Sequence, residues 1–215
     1  MTFAIPEIAL ILGILGTLLL GAISPGPSFV LVTRIAISGG RRDGLAAALG
    51  MGVGAALFGA LALLGLHILI SQAPWLYTAL KIGGGLYLLY LAYRIWRGAK
   101  EPISSAESET GRAASSPWRA FGFAFLIQVS NPKLAVVYGS VFAAFLPPAI
   151  PFWMLIVLPT AFFIMETLWY AIVALAFSSR RPRALYLRSK TWIDRAAGAV
   201  LGALGGKLIA EGVAR

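Results

Sequence analysis

The sequence predicts an all-α polytopic membrane protein: six transmembrane helices in one domain, forming an inverted 3+3 repeat with helices 1 and 4 broken at mid-membrane. Three observations lead there. Of 215 residues, 59% are hydrophobic and only 12% charged, and the mean hydropathy of +0.84 is far too high for a water-soluble domain of this length. Six apolar stretches, each long enough at about 20 residues to cross a hydrocarbon core of about 30 Å, use up most of the chain and leave no room for a separate soluble domain. Finally, Ser24-Pro25-Gly26-Pro27 and Asn131-Pro132-Lys133 interrupt two of these stretches near their middles.

The composition also excludes function classes. The chain has no cysteine, which removes disulfides, thiolate metal sites and thiol redox chemistry. It has one histidine, His67, with no second candidate ligand nearby, so no metal site and no cofactor is expected and His67 is assigned no role. The net charge of +10 does not point to nucleic acid, because the basic residues sit between apolar segments as the positive-inside rule places them. Met1 to Glu7 carries no Lys or Arg, unlike the basic region of a cleavable signal peptide, and the first segment reads as retained.

The first segment runs from about Ile8 to Ile37 and contains the first break; Arg34, Arg41 and Arg42 mark its exit. The second, about Leu45 to Ile70, carries Gly50 and Gly54, a GxxxG spacing that lets two helix backbones approach closely in lipid. A short turn leads to the third, about Trp75 to Trp96, in which Tyr87, Tyr90, Tyr93 and Trp96 form a packing and interfacial aromatic series and Lys81 snorkels to the outer surface. Residues 97–117 are a flexible polar linker. The fourth segment, about Trp118 to Leu146, holds the second break, with Gln128 one turn before Asn131; the fifth, about Phe152 to Phe177, holds Glu166 in its middle. The last, about Trp192 to Ala210, carries Gly198, Gly202 and Gly206, a close-packing face within the bundle or between the copies of a homodimer.

Basic residues gather in the first, third and fifth loops, while the second and fourth loops carry none. The odd loops are therefore expected in the cytoplasm and both termini outside it. Three spans per half is an odd number, so the second half, about 118–215, enters the membrane from the side opposite to the first, about 1–96.

A helix that restarts inside the membrane turns free backbone N–H groups and the positive end of its dipole toward whatever cavity the break lines. Ser24 and Asn131 are good N-cap residues, and Pro25 and Pro132 then fall at the first helical position, where proline costs least. Lys133 near such a start needs a partner or an anion, and Glu166 is the one acid far from an interface. The two are expected either to pair directly or to form a charge pair that a zwitterion opens. Asp43 and Asp194, beside arginines at segment starts, read as structural, although Asp43 with Arg41 and Arg42 also suits a cytoplasmic gate.

Ser24-Pro25-Gly26-Pro27, Arg41 with Gly44 and Gly50, the run from Gly83 to Leu91, and Asn131-Pro132-Lys133 before Pro147 together resemble the lysine exporter (LysE/RhtB) family of bacterial amino-acid efflux proteins, over nearly the whole chain. The resemblance implies a secondary transporter of the bacterial inner membrane that exports amino acids or related small metabolites, driven by the proton gradient. It carries a functional role onto Pro25, Gly26, Pro27, Asn131, Pro132 and Lys133. Ser28 stands where the family often has Asn or Asp, and Gln128 where an Asn commonly precedes the Asn-Pro-Lys; both are assigned to the cavity wall, where they bear on substrate identity. In this reading the two half-helix starts and Lys133 hold the substrate carboxylate, and Glu166 meets the amino group or carries the coupling proton. A passive channel, or an exporter of a metabolite other than an amino acid, is the alternative. An intramembrane enzyme fits less well, since His67 is mismatched in depth to Ser24 and the aspartates are interfacial.

Overall fold

A computed structural model describes residues 5–23, 26–72, 74–100, 116–147, 150–178 and 180–214, with the side chains of 5, 6, 67–72, 74, 76 and 180–187 left aside. The linker expected over 97–117 falls largely outside the described residues, as do Ser24 and Pro25. Every described element is helical: α1 (Ile5–Ile23), α2 (Pro27–Ser38), α3 (Gly40–Gln72), α4 (Pro74–Gly98), α5 (Pro117–Val129), α6 (Pro132–Phe145), α7 (Met154–Phe177) and α8 (Arg180–Val213). Three stretches, in α3, α7 and α8, are long and apolar enough to cross a membrane, and the count reaches five when α1 with α2 and α5 with α6 are each taken as one bent span. α4 is long enough at 25 residues; Lys81, Arg94, Arg97 and its tyrosines keep its apolarity low.

Glycine sets the packing, because helices in lipid gain little from apolar contact itself and associate where small residues let backbones approach. α3 and α7 run antiparallel: Gly44 faces Ala174, Gly52 faces Thr167 and Phe163, and Gly59 faces Phe162. α5 lies beside α3 in the same direction, with Gly50 against the Phe121 carbonyl and Gly54 under the Gln128 side chain. The GxxxG of α3 is thus the contact face its spacing predicts.

α4 and α8 form the other intimate pair, also antiparallel. A Cβ on Gly85 would lie 2.7 Å from the Gly205 carbonyl oxygen, and one on Gly205 would lie 2.7 Å from that of Gly85. Gly198 and Gly202 face Ala92 of the same chain, whereas nothing lies within 4 Å of a Cβ on Gly206. The register is therefore Gly198, Gly202, Gly205, following the 3.6-residue turn more closely than a doubled GxxxG does. Gly85→Val is expected to cost about 3 kcal/mol, since backbone faces backbone and neither yields, while Gly206→Ala leaves the unfolding midpoint in detergent unchanged.

A lysine fastens this pair at each end. Lys81 does not snorkel: its Nζ lies 2.8 Å from Glu211 Oε2 and 5.2 Å from the Tyr77 ring centroid. At the other end Lys190 Nζ lies 2.8 Å from Asp194 Oδ2 and donates to the carbonyls of Gly98 and Ala99 at 3.1 and 3.3 Å, placing a cation at the negative end of α4. Asp194 does not stand at a helix start as its sequence position suggests, because the helix begins at Arg180; it pairs with Lys190 one turn away instead. Asp43 is buried against Gly39, while Arg41 and Arg42 are exposed and form no ion pair with it.

Two apolar clusters make the core. One joins α1, α3, α4, α6, α7 and α8 around Tyr138, Phe142 and Phe162; the other joins α2, α3, α5 and α7 around Phe29, Met51 and Phe177. A cavity bounded by Leu18, Val137 and Tyr138 of the first and Phe29 and Tyr170 of the second lies where they meet.

Candidate functional site

Both breaks are sharp bends between two separate helices, not gentle kinks. α1 and α2 are bent by 59° and α5 and α6 by 55°. α2 begins at Pro27 with Gly26 as its N-cap, at φ −134° and ψ −175° and without a side-chain cap. The expected start at Pro25 under a Ser24 cap is therefore corrected by two residues: either proline fits the first helical position, and the second one takes it. α6 begins as the sequence predicts, with Pro132 first and Asn131 as N-cap, its Oδ1 accepting from the Lys133 backbone N–H at 3.0 Å. The two starts differ chemically. That of α6 is capped by its own side chain; that of α2 has only a glycine in front of it.

A short polar network ties the breaks together. Ser28 Oγ donates to Gln128 Oε1 at 2.9 Å, and Asn131 Nδ2 donates to Ser28 Oγ at 3.3 Å. One hydroxyl thus joins α2 to the end of α5 and the start of α6. Gln128 fits there because Gly54 gives it room, and its Nε2 is buried without a hydrogen-bond partner. Ser28→Ala strands the Gln128 carbonyl and the Asn131 amide together, at an expected cost of about 1–3 kcal/mol, read as a lowered unfolding midpoint; Ser28→Thr, which keeps the hydroxyl, is expected to retain more of it.

The cavity is lined by Gly26, Pro27, Ser28, Asn131, Lys133 and Glu166 together with Leu18, Gly21, Ala22, Phe29, Leu134, Val137, Tyr138 and Tyr170. Gln128 and Pro132 are not on the wall: Gln128 reaches it only through its hydrogen bond with Ser28, and Pro132 is exposed. At about 30 Å³ the cavity has room for a water molecule or two.

Lys133 and Glu166 share this cavity without bonding to each other. The ion pairs among the described residues are Lys81–Glu211, Lys190–Asp194 and Lys207–Glu211, and a direct Lys133–Glu166 salt bridge is absent. Lys133 Nζ instead donates to the Gly21 carbonyl at 3.2 Å. That carbonyl belongs to the last turn of α1, where helix carbonyls lack intrahelical partners and the dipole is negative. The ammonium turns away from the positive start of its own helix to the negative end of another. Trp169 holds the adjacent carbonyl, its Nε1 donating to Ala22 at 3.2 Å. Glu166 is 2% exposed, and its Oε2, like the Tyr138 hydroxyl, is buried with no hydrogen-bond partner.

Sequence reasoning missed Tyr138, Tyr170 and the α1 carbonyls. A signal existed for the first two: Leu134 and Tyr138, and Glu166 and Tyr170, stand four residues apart on helices already assigned to the site, hence on one face. Nothing local marks Gly21 as the acceptor for a lysine 112 residues away.

A helical membrane bundle whose buried acid and partly buried ammonium line one cavity between two broken helices has the build of a transporter, not of an enzyme. The chain belongs to the LysE type translocator family, whose model matches residues 19–212. It is 36% identical over 190 residues to the threonine efflux protein of Salmonella typhi, covering 86% of this chain and 90% of that protein. It is also 36% identical over 192 residues to the threonine efflux protein of Escherichia coli K12, with the same coverage. The leucine efflux protein of Salmonella choleraesuis is 34% identical over 143 residues, 63% of this chain and 64% of that protein. No solved structure matches the chain.

Proposed function

We propose that this translocator is a secondary active exporter of amino acids in the bacterial inner membrane, driven by the proton gradient and working by alternating access around the two broken helices. The single observation that carries the reading is the cavity at the meeting of the breaks, whose wall holds a partly buried Lys133 and a buried Glu166 with no salt bridge between them. A zwitterion has the complementary pair of charges. Its carboxylate would draw the Lys133 ammonium from the Gly21 carbonyl and lie against the uncapped start of α2 at Gly26, Pro27 and Ser28, while Glu166 would meet the amino group or carry the proton. The remaining walls, Leu18, Phe29, Leu134 and Val137, offer no third charge and suit a neutral side chain. The names of the threonine and leucine efflux relatives agree with that class.

The topology we infer is six spans in two inverted halves, with the odd loops in the cytoplasm and both termini outside. The matched bends of 59° and 55° support it, as does the antiparallel packing of corresponding helices, α3 with α7 and α4 with α8, which suits a two-fold axis in the membrane plane passing between them.

Counterflow into proteoliposomes tests the proposal, using labelled threonine and leucine with and without an imposed pH gradient. Accumulation that rises with the gradient is expected. Downhill equilibration alone would mean a passive channel, and no flux of any amino acid would move the substrate to another metabolite.

A further inference from the structure

A second cavity lies far from the broken helices, on the outer surface of the α4–α8 pair. It is an open groove of about 520 Å³ lined by Ala92, Tyr93, Trp96, Arg97 and Gly198. The small residues make its floor, since a Cβ on Gly198 would lie 3.2 Å from the Ala92 carbonyl oxygen, and the aromatic rings and Arg97 make its rim. Tyr93 and Trp96 are 59% and 52% exposed; with Trp192 on α8, also exposed, they place the groove at headgroup depth, where such rings collect.

The rim is cationic. Arg94 and Arg97 are exposed, and Arg195 stacks on Trp96, its Cζ 5.8 Å from the ring centroid and its Nε buried with no hydrogen-bond partner. Arg97 Nη1 donates to the Tyr93 hydroxyl at 3.0 Å, and Arg94 lies 6.0 Å from the Tyr90 ring centroid. Among the described residues none of these guanidinium groups has a carboxylate within ion-pair distance; Asp194, next to Arg195, is taken by Lys190. Glu101 lies outside the described residues. The structure thus sets Arg97 on the groove, Arg195 against its Trp96, and an exposed Arg94 next to its Tyr93 in the chain.

We propose that this groove is a binding site for one anionic phospholipid, whose headgroup phosphate lies against Arg94, Arg97 and Arg195 and whose acyl chain lies along the floor of Ala92 and Gly198. Basic pockets between membrane helices at the cytoplasmic surface bind acidic headgroups, and the apolar floor distinguishes a lipid from a soluble anion, which has no use for it. A bound lipid would brace α4 against α8 beside the Lys190 clamp.

Native mass spectrometry of the full chain in detergent tests this, with phosphatidylglycerol and phosphatidylcholine of the same acyl chains and a further arm containing inorganic phosphate. One phosphatidylglycerol is expected to be retained with roughly thirtyfold preference over phosphatidylcholine, from about two engaged arginines. Arg94→Gln with Arg97→Gln is expected to abolish the preference at an unchanged unfolding midpoint, and Arg41→Gln with Arg42→Gln, on another helix, to keep it. Equal retention of the two lipids would overturn the proposal. So would the same loss in the Arg41 and Arg42 variant, which would mean diffuse electrostatics, or displacement of the lipid by inorganic phosphate, which would mean a soluble-anion site.

Discussion

Lys133→Ala is expected to abolish counterflow of the transported amino acid while leaving a folded, monodisperse protein. The ammonium is the one cationic side chain on the cavity wall, and a charge-assisted hydrogen bond to a substrate carboxylate contributes about 1.5–3 kcal/mol, roughly 10- to 100-fold in rate at limiting substrate. The variant also loses the contact with Gly21 at 3.2 Å. A cation at a partly buried helix end contributes up to about 2 kcal/mol, so a lowered unfolding midpoint is expected alongside. Lys133→Arg is not expected to rescue transport, because a planar guanidinium needs a wider and differently shaped site than a cavity of about 30 Å³. Initial rates of counterflow, with the unfolding midpoint measured on the same preparations, separate lost binding from lost folding.

Glu166→Gln is expected to split the activity in two. Glutamine keeps the volume and the polarity of the protonated acid, so exchange at equal pH on the two sides continues, whereas the response to an imposed pH gradient disappears and the accumulation ratio falls to one. The basis is position: Glu166 is the one acid on the cavity wall, its Oε2 has no hydrogen-bond partner, and an unpaired carboxylate at membrane depth is costly while a protonated one is far less so. A proton taken from one side and released to the other as the cavity alternates is the coupling this permits. Gradient-driven accumulation that survives in Glu166→Gln would remove the coupling role from this residue.

The site was legible in the sequence wherever local chemistry decides the structure. Asn131-Pro132 must start a helix, since proline removes one hydrogen bond and Asn131 supplies another, and its cap forms as expected. Gly50 and Gly54 must face another helix, and they do. Where two local solutions are equally good, the sequence does not choose: Pro25 and Pro27 both fit a first helical position, and the tertiary setting of Gly26 selects the second. Long-range pairings were not legible either. Lys81 meets Glu211 130 residues away, Lys133 meets Gly21, and Gly205 instead of Gly206 touches α4 because helix crossing, not spacing alone, fixes the contact register.

The absence of cysteine from the chain makes one measurement especially direct. Leu134→Cys places a single thiol on the cavity wall, one residue from Lys133, and its labelling by a small maleimide reports who occupies the cavity. If the broken helices hold the substrate, a transported amino acid slows labelling in proportion to its occupancy, and Lys133→Ala in the same background removes that protection. Labelling that proceeds at one rate with and without an amino acid the protein demonstrably transports would place the substrate path elsewhere in the bundle.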